Sequence, residues 1–137
     1  MTPAGKRSKL ILRVDFPQGD RLGRGKIELL EHIVATGSIS AAGRAMGMSY
    51  RRAWLLVDAM NRMFDEPVIA SRKGGKQGGG AVLTGFGTEL LHRLKAMART
   101  ADAALDADLR WLEARRRPVD DAGLEPEDAS SSRPERG

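Results

Sequence analysis

Two consecutive arginines, Arg51 and Arg52, are the residues of this sequence best suited to binding an anion. Each guanidinium presents a fork of N–H donors that can clamp a phosphate or pair with two acceptors on the edge of a guanine. Ser49 and Tyr50 add hydroxyl donors just before the pair, and Trp54 follows one helical turn after Tyr50. The segment could therefore contact both a sugar–phosphate backbone and a base edge.

Two of these assignments have an alternative. Trp54 could stack on a sugar or touch a thymine methyl group, or it could complete the hydrophobic core beside the first strand. Arg51 and Arg52 could instead form an ordinary solvated helix face.

The arginines lie at the start of a helix predicted from Ser49 to Phe64, with Ser49 as its N-cap. Apolar residues recur along it at helical spacing and predict one buried face. This face consists of Ala53, Leu56, Val57, Met60 and Phe64. A small-residue helix from Ser38 to Met46 precedes it, and Gly47 turns sharply between the two helices.

The first helix of the bundle is predicted from Lys26 to Thr36, and Gly37 ends it. Its apolar residues at helical spacing are Ile27, Leu30, Ile33 and Val34. Upstream, apolar and polar residues alternate from Leu10 to Phe16, which predicts a half-buried strand that pairs with a later hairpin.

That hairpin is predicted from two short apolar runs, Pro67 to Ser71 and Ala81 to Leu83, with a glycine-rich basic loop between them. Its glycines allow the backbone to approach phosphate closely, and its cationic and amide side chains add donors. These donors are Arg72, Lys73, Lys76 and Gln77. The loop lacks the glycine spacing and the Ser or Thr of a nucleotide-binding P-loop.

From Thr84 to about Arg116 the apolar residues again recur every three or four positions. One helix of this extent would run to about 45 Å, whereas a domain this small spans roughly 30 Å, so part of the apolar stripe would need a partner. A second copy of the chain is the simplest partner, and a bent or broken helix that folds back is the alternative. The residues predicted to mediate dimerisation are Leu91, Leu94, Ala98, Ala101, Leu105, Leu109 and Leu112.

Composition limits the chain to one folded domain, because it has 137 residues and 41% hydrophobic content. Residues 1–117 carry 21 Lys and Arg against 12 Asp and Glu, whereas residues 118–137 carry 2 against 6. A strongly basic body suits a nucleic acid, although a soluble protein can be basic without one. We expect a flexible N-terminus at 1–8, a folded domain at 9–116 with its dimerisation helix at about 84–116, and a disordered acidic tail at 117–137.

Several classes of protein are not expected. Zero cysteines exclude a disulfide scaffold, a thiolate metal site and a cysteine nucleophile. No apolar stretch is long enough for a membrane span or an export signal, so a cytoplasmic protein without a membrane partner is expected. His32 and His92 have no second metal ligand one turn away, and no nucleophile–base pair stands out. The sequence therefore predicts neither an enzyme nor a metal centre.

The order of elements predicts a mostly α fold with a small β hairpin: a winged helix-turn-helix with a long C-terminal dimerisation helix. The motifs resemble the N-terminal DNA-binding domain of ModE-type molybdate-responsive transcriptional regulators over about residues 9–115. The resemblance is carried by Gly37 to Ser40, by the run from Gly47 to Trp54 and by the run from Arg72 to Thr84, with Gly87 following.

The resemblance implies homodimers that bind pseudo-palindromic operators near molybdenum-related genes. The DNA-facing positions that it implies are Ser38, Ser40, Ser49, Tyr50, Arg51, Arg52, Trp54, Lys73 and Lys76. The resemblance also implies that family members sense molybdate or tungstate through further C-terminal domains, and we do not expect such a domain within these 137 residues. We therefore expect no cofactor, with the oxyanion remaining possible by resemblance, and a separate effector-sensing protein as a possible partner.

Three functions are compatible with these features. The first is a dimeric, sequence-specific regulator that binds double-stranded DNA. The second is an architectural DNA-binding protein with little sequence preference. The third is a protein-interaction module whose basic face binds an acidic partner.

Overall fold

The computed structural model describes residues 8–72 and 80–118, and most of these residues are helical. The helices are α1 (Arg24–Thr36), α2 (Ile39–Ala45), α3 (Tyr50–Met63), α4 (Gly85–Ala104) and α5 (Asp106–Arg115). The strands are β1 (Val14–Asp15), β2 (Arg21–Leu22), β3 (Ile69–Arg72) and β4 (Gly80–Leu83). The predicted mostly α fold with a small β component is confirmed.

The described residues form two compact units, one within residues 11–100 and one that contains residues 8–10 and 101–118. The larger unit contains α1, α2, α3, both sheets and most of α4. In it α1 packs against α2, and α2 packs against α3. Predicted elements that fall on residues 1–7, 73–79 and 119–137, including most of the glycine loop and the acidic tail, lie outside the described residues.

Local signals in the sequence set the ends of the first three helices. Gly37 ends α1 in the left-handed conformation, with φ 70°, and its N–H donates to the Ile33 carbonyl. Ser38 and Ser49 cap α2 and α3 through side-chain oxygens that accept from the N–H groups of Ala41 and Arg52. Gly47, also at φ 70°, makes the turn between α2 and α3. Both serine caps were predicted.

The buried face of α1 differs from the predicted one. Val34 was expected among the apolar residues of this helix, but its side chain is 62% exposed. Leu30 and Ile33 are buried as predicted, and Lys26 and Leu29 are buried in addition. The observed face is thus rotated from the predicted one. The sequence did not fix this rotation, because Leu29 and Leu30 point about 100° apart on the helix and each lies on an apolar stripe at helical spacing.

One hydrophobic core joins the three helices to the β3–β4 hairpin. Its members are Leu29, Leu30, Ile33, Ile39, Ala42, Ala53, Leu56, Val57, Met60, Val68, Ile69, Ala81 and Leu83. Phe64 packs edge-on against Phe16 and Phe86, with ring centroids 6.2 Å and 5.3 Å apart. The predicted apolar face of α3 is therefore confirmed as buried, and Phe64 extends it with aromatic contacts.

A single asparagine ties the hairpin to α3. The Oδ1 atom of Asn61 accepts hydrogen bonds from the N–H groups of Val68 (2.7 Å) and Ile69 (2.9 Å). Its Nδ2 atom donates to the Ile69 carbonyl at 3.1 Å. These bonds satisfy backbone groups at the start of β3, a point where the sheet itself cannot pair them all.

The hairpin is also attached to the link between α1 and α2. Ala81 of β4 donates its N–H to the Gly37 carbonyl at 2.9 Å. A Cβ added to Gly80 would lie 2.8 Å from that carbonyl oxygen, so a side chain at this position would push the strand away. This contact places the end of the hairpin next to the glycine loop close to the start of α2.

The N-terminal strand does not pair with this hairpin, and that prediction was wrong. β1 pairs with β2 in a separate two-stranded sheet, in the register Val14 with Leu22. Gly19, at φ 105°, allows the chain to turn back at once, and Phe16 donates to the Asp20 carbonyl at 2.8 Å. The nearest strand in the sequence is therefore the one that pairs.

The predicted single helix from Thr84 to Arg116 is interrupted at Leu105, between α4 and α5. Within the larger unit, Phe86, Leu90 and Leu91 of α4 pack against the core, and Lys95 forms an ion pair with Glu31 of α1 at 3.0 Å. Within the smaller unit, Ser8 donates its N–H to Glu113 of α5 at 2.9 Å. The predicted helical run is thus divided into two helices, and whether it folds back or meets a second copy stays a prediction.

Candidate nucleic-acid interface

The first turn of α3 presents the predicted donor residues to solvent. The side chain of Tyr50 is 59% exposed, and Arg51 and Arg52 are also exposed. Ala53, which follows them, is fully buried in the core. Because the core holds the opposite face of the helix, the donors face outward from a fixed scaffold. The partial positive charge at a helix N-terminus adds to their attraction for phosphate.

Trp54 lies on the surface rather than in the core. Its side chain is 41% exposed, and its ring packs edge-on against Tyr50 with centroids 6.3 Å apart. The alternative that Trp54 completes the core beside the first strand is therefore wrong. The two rings form an exposed aromatic pair next to the arginines, with a free face for a sugar or a base.

The two serines predicted at the start of α2 each accept a hydrogen bond from a nearby group. Ser38 accepts from the Ala41 N–H at 3.0 Å as the N-cap, and Ser40 accepts from the Arg44 guanidinium at 3.0 Å. Both side chains are half-buried. Each hydroxyl retains its own O–H as a donor, because a hydroxyl can donate one bond while it accepts another.

Close packing brings α2 onto α3. A Cβ added to Gly43 would lie 2.9 Å from the Cβ of Ala53, so no larger residue fits there without a shift. Ala53 directly follows Arg52, and the small residues at this crossing therefore set how far the arginine pair stands from α2.

Arg72 brings positive charge to the link between α1 and α2. Its guanidinium lies near Gly37, where an added Cβ would be 3.1 Å from Nη2, and near Gly80 at 3.3 Å. Arg72 is exposed. The last described residue before the glycine loop thus stands beside the N-terminus of α2. Lys73, Lys76 and Gln77, predicted as further donors, lie outside the described residues.

Lys26 is a buried cation that the sequence did not reveal. Only 8% of its side chain is exposed, and its Nζ donates to the Arg21 carbonyl at 2.9 Å. Burial lowers the pKa of Lys26, and the positive charges of Arg21 and Arg52 lower the pKa further, whereas Asp20 opposes the shift.

Leu55 is an exposed apolar residue that was not predicted from the sequence. Its side chain is 54% exposed, although Ala53, Leu56 and Val57 close to it on α3 are buried. Its exposure could have been predicted from the apolar face of α3, because Leu55 is four residues after Arg51 and lies opposite that face.

The residues predicted for dimerisation differ in exposure. Leu94 is 8% exposed and Leu91 packs against the core, so a partner could add little contact at these two positions. Leu105 is 39% exposed and Leu112 is 53% exposed. The remaining positions are Ala98, which is exposed, and Ala101 and Leu109, which are half-buried.

Residues 8–72 and 80–118 contain no group of three or more His, Asp or Glu side chains placed to hold a metal ion. Across the same part of the chain, no helix combines the length and the apolar character needed to cross a membrane.

Comparison with known proteins finds relatives among molybdenum-related regulators. The chain is 36% identical over 95 residues to the molybdenum transport protein ModE of Azotobacter vinelandii, which covers 69% of this chain and 35% of the relative. It is 38% identical over 81 residues to the DNA-binding transcriptional dual regulator ModE of Escherichia coli strain K12, covering 59% and 31%. The molybdenum-pterin-binding protein MopB of Rhodobacter capsulatus is 51% identical over 73 residues, covering 53% and 27%.

These relatives confirm the predicted resemblance, since ModE transcriptional regulators are homologues of this chain. The chain spans only 27% to 35% of the length of the three relatives. No protein-family model matches.

Proposed function

We propose that this chain, a homologue of the ModE transcriptional regulators, is a sequence-specific DNA-binding regulator. In this proposal α2, the Gly47 turn and α3 form a helix-turn-helix, and the β3–β4 hairpin is its wing. α3 enters the major groove with its N-terminal turn first, and the hairpin contacts the neighbouring backbone.

One observation carries the proposal: Arg51 and Arg52 are both exposed on the capped first turn of a helix whose opposite face is fixed in the core. A groove-binding helix needs donors that reach base edges and a rigid support that holds them in register. α3 has both, and Ser49, Tyr50 and Trp54 surround the arginines with groups that suit phosphate and sugar.

The hairpin supports the same orientation. Arg72 lies beside the start of α2, and the chain enters the glycine loop immediately afterwards. Positive charge on this loop, from Lys73 and Lys76, would contact phosphates on the flank of the site that α3 occupies.

Homodimerisation is part of the proposal. Leu105 and Leu112 leave apolar surface exposed near the end of α4 and on α5, and a second copy could cover it. A symmetric dimer would present two copies of α3 to two half-sites, which predicts a pseudo-palindromic operator.

The regulated genes are proposed to be related to molybdenum. The support is the name of the relatives: two are a molybdenum transport protein and a transcriptional dual regulator, and one is a molybdenum-pterin-binding protein. Selection of binding sites from genomic fragments, with and without molybdate, would test this assignment directly.

The central test is selection of a preferred site from a random duplex library, followed by affinity measurements at fixed salt. We expect a selected palindromic site to bind at least 1,000-fold tighter than random duplex, roughly the lower end for specific regulators. The double variant Arg51→Ala with Arg52→Ala should lose most of this affinity. The matched control is Arg93→Ala with Arg99→Ala, which removes the same charge from exposed positions of α4.

Two results would contradict the proposal. Equal affinity for unrelated duplexes, with steep loss on adding salt, would indicate an architectural DNA-binding protein. Unchanged DNA affinity in the Arg51 and Arg52 double variant, with loss of a protein partner in a pull-down, would indicate an interaction module.

A further inference from the structure

The outward face of α3 is chemically divided along its length. Arg51 and Leu55 stand four residues apart on the side opposite the buried residues, so they are neighbours one turn apart. On the next turn of the same face, Asp58 forms an ion pair with Arg62 at 3.1 Å. The N-terminal half of this face is thus basic and apolar, whereas its C-terminal half carries an ion pair with no net charge.

Leu55 is an unusual residue for such a face. Its side chain is 54% exposed, although exposing apolar surface to water is unfavourable. It is flanked by Trp54, which is 41% exposed, and by Arg51. On a helix that enters the major groove, a leucine here would meet base edges rather than phosphates.

Only one group on a major-groove edge is apolar. Adenine, guanine and cytosine present donors and acceptors there, whereas thymine adds its C5-methyl group. We propose that Leu55 contacts a thymine methyl group close to the base that Arg51 contacts, and so determines specificity for thymine at that position. The inference rests on the proposed function, because it requires α3 to lie in the major groove.

The spacing along the helix limits where this thymine lies. Four residues advance about 6 Å along a helix, and base pairs are about 3.4 Å apart. The thymine should therefore fall within about two base-pair steps of the position that Arg51 reads. Trp54 lies beside Leu55, and its ring could narrow the pocket around the methyl group.

The experiment replaces each thymine of the selected site, one at a time, by deoxyuridine, which lacks only the methyl group. Affinity of the full chain is measured for every duplex by fluorescence anisotropy. At one position, replacing thymine by deoxyuridine should weaken the binding of the chain without substitutions roughly 4-fold. This factor corresponds to about 0.8 kcal/mol for one buried methyl-sized group. Leu55→Ala should bind thymine and deoxyuridine equally at that position, and Leu55→Met should still distinguish them.

Val34→Ala is the matched control, because Val34 is an exposed apolar residue, 62% exposed, on a different helix. It should retain the full preference for thymine. Equal melting temperatures for the four proteins would show that Leu55→Ala folds normally.

The inference is overturned if no thymine shows a methyl effect, or if Leu55→Ala keeps the effect. Loss of the effect in Trp54→Ala but not in Leu55→Ala would assign the contact to Trp54 and also overturn it. Each of these results leaves specific DNA binding in place. If the unmodified chain selects no site at all, the proposed function itself fails.

Discussion

At the scale of single residues, the same side chains that hold the fold also position the candidate interface. Ser49 caps α3 and stands next to the arginines, so the helix end and the donor cluster share one residue. Lys26 is buried at the start of α1, and its Nζ is held by the Arg21 carbonyl. Changes to such residues should therefore alter stability and DNA affinity together, whereas changes to Arg51 should alter affinity alone.

Asn61 provides a residue-scale prediction about the hairpin. Asn61→Ala removes three hydrogen bonds to the backbone of Val68 and Ile69, both buried, and leaves those groups without their partner. We expect a loss of about 2 kcal/mol in the free energy of unfolding, or roughly 10 °C in Tm. The measurement is thermal unfolding followed by circular dichroism.

The control for this variant is the next residue along α3. Arg62→Ala breaks only an exposed ion pair with Asp58, so its free energy of unfolding should change by about 0.5 kcal/mol or less. Equal destabilisation of the two variants would contradict the role assigned to Asn61.

Lys26 makes a prediction about pH. Its pKa in the folded chain is lowered from the ordinary lysine value of 10.5, chiefly by burial, so the folded state binds this proton less tightly than the unfolded state does. The charged lysine therefore opposes folding at neutral pH. Its cost should be relieved as the pH rises from the lowered value towards 10.5. The free energy of unfolding of the unmodified chain should rise over this window relative to that of Lys26→Met.

Urea unfolding of both proteins at several pH values between 7 and 10.5 would measure this difference. Other lysines titrate in both proteins and cancel in the comparison. A constant difference between the two curves would show that Lys26 keeps its ordinary pKa in the folded chain.

At the scale of elements, the candidate interface depends on close approaches that only small residues allow. Gly43 lets α2 approach α3 at Ala53, and Gly80 lets β4 approach the end of α1. The β3–β4 hairpin is held by Asn61 on one side and by the Gly37 carbonyl on the other. The relative placement of α2, α3 and the hairpin is therefore set by backbone contacts within the larger unit.

Two glycines at the start of α4 allow a paired prediction. A Cβ at Gly87 would lie 2.1 Å from the Val68 carbonyl oxygen, whereas a Cβ at Gly85 has nothing within 4 Å. Gly87→Ala should therefore separate α4 from the hairpin and cost about 2 kcal/mol or more. Gly85→Ala should leave stability unchanged or raise it by up to about 1 kcal/mol, because alanine favours a helix.

Chemical denaturation of the two variants would test this pair. Similar effects of Gly85→Ala and Gly87→Ala would contradict the close contact between α4 and Val68.

At the scale of the whole molecule, the proposed dimer and DNA binding are linked by mass action. Leu112→Glu places a charge on exposed apolar surface of α5 and should shift the chain from dimer to monomer. Its affinity for the palindromic site should fall most at low protein concentration. Analytical ultracentrifugation over a range of concentrations would measure the shift.

Ala103→Glu is the control, because Ala103 is exposed on α4 but lies away from the apolar stripe. It should leave the oligomeric state unchanged. A monomeric mass for the unmodified chain at micromolar concentration would contradict the dimer and require a single half-site instead of a palindrome.

The sequence alone determined the features that depend on neighbours in the chain. Helical spacing of apolar residues located α1 and α3, and a run of small residues located α2. Ser38, Ser49 and Gly37 marked helix ends through hydrogen bonds that span only a few residues. The exposed position of Arg51 and Arg52 followed, because residues off a buried helical stripe face solvent.

Tertiary structure decided what depends on distant contacts. The sequence did not distinguish Val34 from Leu29 as the buried residue of α1, because both are apolar, and packing against α2 and β4 made the choice. Alternation predicted the strand at Val14 but not its partner, since pairing is set by which backbone comes close enough to donate. The contacts of the Asn61 carboxamide have no periodic signal, because its partners lie seven and eight residues further along the chain, beyond the end of α3.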